Sequence, residues 1–390
     1  MATLSITAPS RELRAPTIGL IGFLTLVDLF ATQAILPSLA ARYGVAPGAI
    51  GVAVNASTIG MAIAGLLVGV LAAGVDRRRG IWLSLLVLSV PTTLLAFAPD
   101  LRSFAALRVL QGLCMATAFT LALAYLAEKC TNVATASALA AYVTGVVASN
   151  LVGRVIAATV VGAAGTSANF FVFAALNLVG AALAARALSR SELAMAPATG
   201  HFWSAWAHHL RNPALLRCFL IGFLILFAFI GVFTYVGFVL MRPPLAVRMG
   251  QLGLVFLCFA PSMITTPLAG KFANRFGAGI SIAGSLVIAA IGLLPLLVSN
   301  LAAVFVGLVL VALGTFFAQA VVTGQVGRSA DGERAAASGL YLAFYYSGGL
   351  AGAALVGQLF DRLGWSTAVA GIAAALLIAA LLGRSIDARK

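Results

Sequence analysis

Only ten acidic residues, three histidines and four cysteines occur in 390 positions, and charged residues of both signs make up 9% of the chain. A soluble domain carries roughly a quarter charged residues. A chain this poor in charge, 62% hydrophobic and with a mean hydropathy of +1.09, has too little polar surface to be a soluble globule. It reads as an integral membrane protein. The three histidines, His201, His208 and His209, share one polar segment, and Cys114, Cys130, Cys218 and Cys258 are far apart with no CxxC spacing. Neither set makes a metal site, so neither metal nor cofactor is expected. The seven methionines are dispersed, which speaks against a soft-metal carrier. No GxxxxGK[ST] loop is present, which excludes a nucleotide-driven pump of that type.

The formal charge is +14 and the pI near 10.7. A nucleic-acid binder gathers its basic residues on one face or tail. Here they lie in short groups between apolar runs, as in the loops of a polytopic protein, and nucleic acid is not an expected partner.

Breaking the apolar runs at charges, prolines and glycines leaves twelve segments of spanning length, at 16–38, 48–74, 80–98, 103–127, 134–162, 168–188, 213–240, 251–270, 278–298, 301–324, 336–358 and 365–384. With the N-terminus inside, seventeen Lys and Arg fall on inside loops and five on outside loops, and Arg108 and Arg154 fall within spans. That asymmetry places both termini in the cytoplasm. The first apolar run follows Arg11 and Arg14 but is too long for a signal peptide and lacks a small-residue cleavage site, so it is expected to stay as an anchor. The longest polar break, 189–212, falls at the midpoint, and its "SAWAHHLRN" portion is a candidate interfacial helix. The expected organisation is a six-helix half at 1–188, a cytoplasmic linker at 189–212 and a second half at 213–390.

The halves carry an internal repeat. "GVDRRRG" follows span two and "GKFANRFGAG" follows span eight, and Asn274-Arg275 aligns with Asp76-Arg77 at an offset of 198 residues. Here the chain resembles the major facilitator superfamily from end to end. The signature between helices two and three of that family reads G-x-x-x-D-R-x-G-R-R/K. The first copy has Asp76 and the arginines, with Ala72 and Arg79 at glycine positions; the second has Gly270 and Gly277, with Asn274 for the aspartate. "RVLQGLCMA" from Arg108 is similar to the helix-four pattern R-x-x-Q-G, and "FTYVGFVLMRPP", "VGR" and "ASGLYLAFYYSGGLAG" resemble the bacterial drug/proton antiporter branch with its arabinose-efflux-like permeases. Gly145 and Gly153 match the glycine spacing of that branch's helix five, with no proline after them. The resemblance implies an all-α membrane protein of twelve transmembrane helices in two pseudo-two-fold halves, in the bacterial inner membrane.

Asp28, in "TLVDLFATQAILP", is the single acidic residue placed mid-span. An ionised carboxylate there costs several kcal/mol. It reads either as a group that takes up and releases a proton or as a neutral carboxyl bonded to a neighbouring helix. Thr25, Asp28 and Thr32 share one helical face, a polar stripe expected to face the cavity. Arg108 lies roughly 8 Å below the outer surface of span four, and Asp28 roughly 15 Å from the outer end of span one. In the family fold these two helices line the cavity, so a direct Asp28–Arg108 interaction is expected; a packing arginine bonded to main-chain carbonyls is the other reading. Gln111 supports either. Arg154 is placed near the outer end of span five, snorkelling or attracting an anion, with Asn150 one turn earlier. Asp76, Arg77, Asn274, Arg275 and Arg334 are assigned to an inner gate by the resemblance. Asn55, Gln319, Tyr235, Tyr341 and Tyr345 are cavity candidates or packing residues.

The leading reading is a monomeric secondary transporter, with proton-coupled efflux of a small organic compound by alternating access. Its partners are the substrate, protons and the bilayer. The rival is uptake or exchange of an organic anion using Arg108 and Arg154. A receptor-like membrane protein is the alternative from another class. With no intramembrane histidine and one mid-span carboxylate, no enzyme is expected.

Overall fold

The computed structural model describes residues 14–71, 76–129, 132–189, 202–330 and 334–386. Every regular element among them is a helix. Hydrocarbon offers the backbone no partners, and a helix bonds its own peptide groups within one segment.

Helix α1 is Ala15–Ala34, α2 is Pro47–Leu67, α3 is Arg77–Phe97 and α4 is Leu101–Lys129. The next helical stretch, Asn132–Ala187, reverses at Gly165, where φ is 83° and ψ 175°. Residues with a side chain rarely adopt that backbone conformation, so glycine alone turns the chain there. The two arms are α5 (132–164) and α6 (166–187). Then follow α7 (Pro213–Met241), α8 (Met249–Phe276), α9 (Ala278–Leu297), α10 (Leu301–Ser329), α11 (Arg334–Leu363) and α12 (Trp365–Arg384). Among the described residues, eleven helical stretches are long and apolar enough to cross a membrane, and the reversal at Gly165 makes the longest of them two passes.

Several passes are broken where the sequence removes a backbone donor. α1 ends at Ile35 and a short helix, Leu36–Tyr43, resumes with Pro37 in its first turn. α8 is the least regular. Pro261 and Pro267 split it into α-helical pieces joined by 3₁₀ turns at Phe256–Phe259 and Thr266–Leu268. In a 3₁₀ turn residues three apart eclipse one another. Phe256 and Phe259 therefore point the same way, with their rings parallel within 2°.

The packing repeats with the sequence. α1 lies on α5 as α7 lies on α11, and α3 on α6 as α9 on α12. Across the midpoint, α2 meets α11 and α5 meets α8, the pairs that a two-fold exchange of halves interconverts. Close approach depends on glycine at a few crossings. A side chain at Gly145 would strike the main chain of Gly19, and one at Gly348 the main chain of Phe223. The short helix Phe202–Arg211, in the expected linker, packs against α7 and α11.

The helix ends are capped locally. Asp100 accepts from the Arg102 and Ser103 backbone N–H groups at 2.8 and 2.9 Å, which holds its carboxyl below the usual carboxylate range. Asp76 caps α3 by accepting from the Arg78 N–H at 3.0 Å.

Gly145→Val is expected to force α1 from α5, costing about 1–3 kcal/mol as overpacking does. Gly250, with nothing within 4 Å of an added Cβ, should accept alanine without loss. Thermal melting of the two detergent-solubilised variants checks the contrast.

Candidate functional site

A cavity of about 390 Å³ lies between the first six helices and the last six. It is bounded by the late turns of α4 and α10, at Phe119, Leu123 and Val326, and by the early turns of α5 and α11, at Val143, Ser338 and Tyr341. These turns all lie toward the end of the bundle where α1 begins, here called the near face. No charged side chain lines it among the described residues. Its polarity comes from hydroxyl and amide groups, including Thr315, Gln319, Thr323 and Asn150, and from Tyr341 stacked on Tyr345 at 5.9 Å.

Asn150, Gln319, Tyr341 and Tyr345, named from the sequence as cavity groups, line this space. Thr25, Thr32, Asn55, Gln111, Arg154 and Tyr235 do not. The expectation that the Thr25–Asp28–Thr32 stripe faces the cavity is therefore corrected. The cavity face of α1 is Leu26, Leu29 and Phe30, and the polar stripe turns into the first-half bundle. A polar stripe avoids lipid, but neighbouring helices satisfy it as well as water does. Thr25 donates to the Ile21 carbonyl at 2.7 Å, and Thr32 is buried.

Asp28 is buried between α1, α3 and α6. Its Oδ2 accepts from Asn177 Nδ2 at 2.6 Å and from Thr92 Oγ1 at 3.2 Å. Thr92 also donates to the Leu88 carbonyl at 2.8 Å and accepts from Gln111 Nε2 at 2.7 Å, and Gln111 Oε1 accepts from Arg108 Nη1 at 2.7 Å. Carboxylate and guanidinium are thus joined through two neutral side chains. The expected direct ion pair is absent among the described residues. Main-chain carbonyls capture the guanidinium instead. Nε donates to the Val54 carbonyl at 2.8 Å, Nη2 to the Leu29 carbonyl at 3.1 Å and to Ser57 Oγ at 3.0 Å, and Nη1 reaches the main-chain oxygen of Asp28 at 3.4 Å. Arg108 ties α4 to α1 and α2, with each of its guanidinium nitrogens bonded.

Arg154 differs. It is 0% exposed, so the expected snorkelling to the surface is corrected. Only Nη2 has a partner, Gln33 Oε1 at 2.7 Å; Nε and Nη1 have none. Five phenylalanines surround the guanidinium: Phe256 and Phe259 at 4.7 and 4.9 Å to ring centroid, Phe30 and Phe233 at 5.3 and 5.5 Å, and Phe229 at 6.0 Å. Each cation–π contact is worth about 0.5–2 kcal/mol. Together they offset part of the several kcal/mol that an unpaired buried cation costs. The irregular geometry of α8 aims two of the rings.

The opposite, far, end is shut by contacts between the halves. Gln33 donates to Asn55 Oδ1 at 2.7 Å, and Asn55 donates to Thr234 on α7 at 3.2 Å. Within the second half, Tyr235 donates to the Ala353 carbonyl. Asp361, at the end of α11, accepts from the Gly48 N–H at 2.9 Å and so caps the first turn of α2 from the other half.

At the near face, Arg77 pairs with Glu128 at 3.2 Å and Asp76 lies 3.8 Å from Arg79, both within the first half. Asn274 and Arg275 are exposed, the latter over the Phe276 ring. The side chain of Arg334 lies outside the described residues.

Sequence reading missed Thr92, Asn177, Ser57, Gln33 and Asp361. Each of the first four is a polar residue within an apolar run, the same signal that picked out Asp28.

The Major Facilitator Superfamily model matches residues 18–243 and 240–387. The chain is 27% identical over 369 residues to the MFS-type transporter YybF of Bacillus subtilis, covering 92% of this chain and 89% of that one. It is 29% identical over 379 residues to the inner membrane transport protein YnfM of Escherichia coli, covering 94% and 89%. Its fold is similar to that of a bacterial homologue of the human lysosomal transporter Spinster, solved in an inward-facing and occupied conformation (TM-score 0.77, 14% identity, 98% and 96% covered). It is similar also to the nucleoside transporter NupG (TM-score 0.76, 13% identity, 96% and 98% covered).

Arg108→Ala removes a donor from two helix carbonyls and Gln111, and charge-assisted bonds are worth about 1.5–3 kcal/mol each. It is expected to lower the melting temperature sharply, with Arg108→Lys intermediate; melting curves in detergent check this. Asp361→Ala is expected to loosen the far end. Spin labels at the exposed positions 46 and 362, in a cysteine-free background, should then show a longer distance population by double electron–electron resonance.

Proposed function

The chain belongs to the major facilitator superfamily and is a membrane transporter, not an enzyme; on that premise we propose that it exports a small organic compound by alternating access, driven by a proton taken up and released at Asp28. The observation that carries this reading is the setting of that carboxylate. It is buried in a membrane helix, held by two neutral donors, with no cation in ion-pair range among the described residues. A carboxylate so placed is costly while charged and changes its bonding when it takes up a proton. Thr92 has one hydrogen to divide between the Leu88 carbonyl and Asp28, and it receives another from Gln111. Protonation of Asp28 turns an acceptor into a donor and forces this relay among α1, α3, α4 and α6 to reorder. The same turns of α1 carry Leu26, Leu29 and Phe30 into the cavity. A shift in the relay is thereby passed to the cavity wall.

The closed far end and the cavity toward the near face support one of two access states, with residues 1–188 and 213–390 rocking against each other and 189–212 as the linker. The positive-inside asymmetry supports a cytoplasmic near face and cytoplasmic termini. The bacterial relatives support an inner-membrane location. We read the protein as a monomer, and export rests on the antiporter-like motifs.

Proteoliposomes loaded with a pH-sensitive dye test the coupling. A solute gradient should drive proton movement through the wild type and not through Asp28→Asn, which keeps the shape of the carboxyl but cannot ionise. Normal coupled flux through Asp28→Asn would remove Asp28 from the mechanism.

A further inference from the structure

Arg108 and Arg154 are the two arginines of the first half that are 0% exposed among the described residues, and their hydrogen bonds set them apart. Arg108 has its guanidinium nitrogens occupied by main-chain carbonyls, Ser57 and Gln111. Arg154 has one bond, to Gln33, and two nitrogens, Nε and Nη1, with no partner. No acidic residue lies in ion-pair range of it among the described residues. A cation enclosed by phenylalanine with unmatched donors is an incomplete site, because a charged N–H group in an apolar shell gains most from an anionic acceptor.

The enclosure adjoins the cavity. Phe30 and Phe229 stack on Arg154 and also line the cavity, so these two rings separate the guanidinium from that space. Asn150 lies one helical turn before Arg154 on α5 and lines the cavity, and its Oδ1 is buried without a partner. The amide and the guanidinium thus form a short polar path leading out of an otherwise uncharged, aromatic space. The cage also spans the two halves. Arg154 and Phe30 come from the first six helices, and Phe229, Phe233, Phe256 and Phe259 from α7 and α8. Any motion that parts the halves at this level uncovers Arg154.

We propose that Arg154 is the acid-binding group of the substrate site, so that the transported compound is an amphipathic organic carboxylate. Its apolar body lies in the cavity, and its carboxylate is drawn to an unpartnered edge of the Arg154 guanidinium, Nε or Nη1, when Phe30 and Phe229 swing aside. This assignment rests on the transporter reading and names the substrate class within it. A neutral or cationic substrate would leave the guanidinium charge unmatched, whereas a carboxylate supplies it with a charge-assisted acceptor.

Binding to the purified full chain tests this without transport. Thermal melting in detergent compares phenylacetate with phenylacetamide and octanoate with octanamide, with acetate and sodium chloride alone as controls. The acids should raise the melting temperature of the wild type and bind roughly tenfold or more tightly than their amides. Arg154→Gln should lose that preference, and Arg154→Lys should keep part of it. Phe30→Ala, which removes one screening ring, should strengthen binding of the acids and not of the amides. Should Arg154→Gln fail to fold, the acid-to-amide comparison in wild type and Phe30→Ala still decides. Equal binding of acid and amide overturns the proposal and leaves the cage as a latch between halves. A full shift from chloride or acetate alone also overturns it, as a small-anion site. Proton-coupled movement of a neutral compound, with no acid preference, would sink this inference while the transporter reading stands.

Discussion

Hydrocarbon supplies no hydrogen bonds, so each polar side chain carried into the bundle has to be matched by another, and the arrangement of the first six helices follows from how Asp28, Arg108 and Arg154 are matched. Arg108 is matched by carbonyls, which makes it a fastener of α1, α2 and α4. Asp28 is matched by neutral donors from α3 and α6, with no cation in ion-pair range among the described residues. Arg154 is matched least, by one amide and a ring of aromatic faces. The three groups thus form a series ordered by the degree of hydrogen-bond satisfaction.

The two halves share a fold but divide the work. Asp28 belongs to α1 and the fully buried Arg108 and Arg154 to α4 and α5, and the rings around Arg154 come mostly from α7 and α8. Close glycine contacts join α1 to α5 and α7 to α11 with main chain against main chain. Such contacts make each half stiff internally. The interface between halves also has close glycine contacts, as at Gly65 with Gly339 and Gly48 with Gly357, and adds single hydrogen bonds such as Gly48 to Asp361 and Asn55 to Thr234, and rings against a cation.

Much of the architecture was legible in the chain because it depends on composition along one dimension. Twelve apolar runs are the passes, and the repeated loop near Asp76 and Asn274 marks the relation between halves. The main departures lie where local chemistry acts: Gly165 reverses the chain within one residue, and Pro261 and Pro267 break α8 into short pieces. The candidate site was legible as a set of residue types but not as an arrangement. Asp28 and Arg108 were visible as rare charges, yet Thr92 and Asn177, which separate or hold them, look like any polar residue within a span. Arg154 was read either as snorkelling to the surface, because its height in the span allowed it, or as attracting an anion at the cavity mouth.

The sequence by itself determined that this chain spans a membrane twelve times, which polar residues must be buried and that the two halves are related, since hydropathy, charge and repetition survive in one dimension. Only the tertiary structure decided which way each polar residue faces. That depends on the rotation of each helix about its axis, which packing against neighbours sets. That rotation turns Asp28 into the bundle and Leu26, Leu29 and Phe30 toward the cavity, and packing leaves Arg154 with two of its nitrogens unmatched.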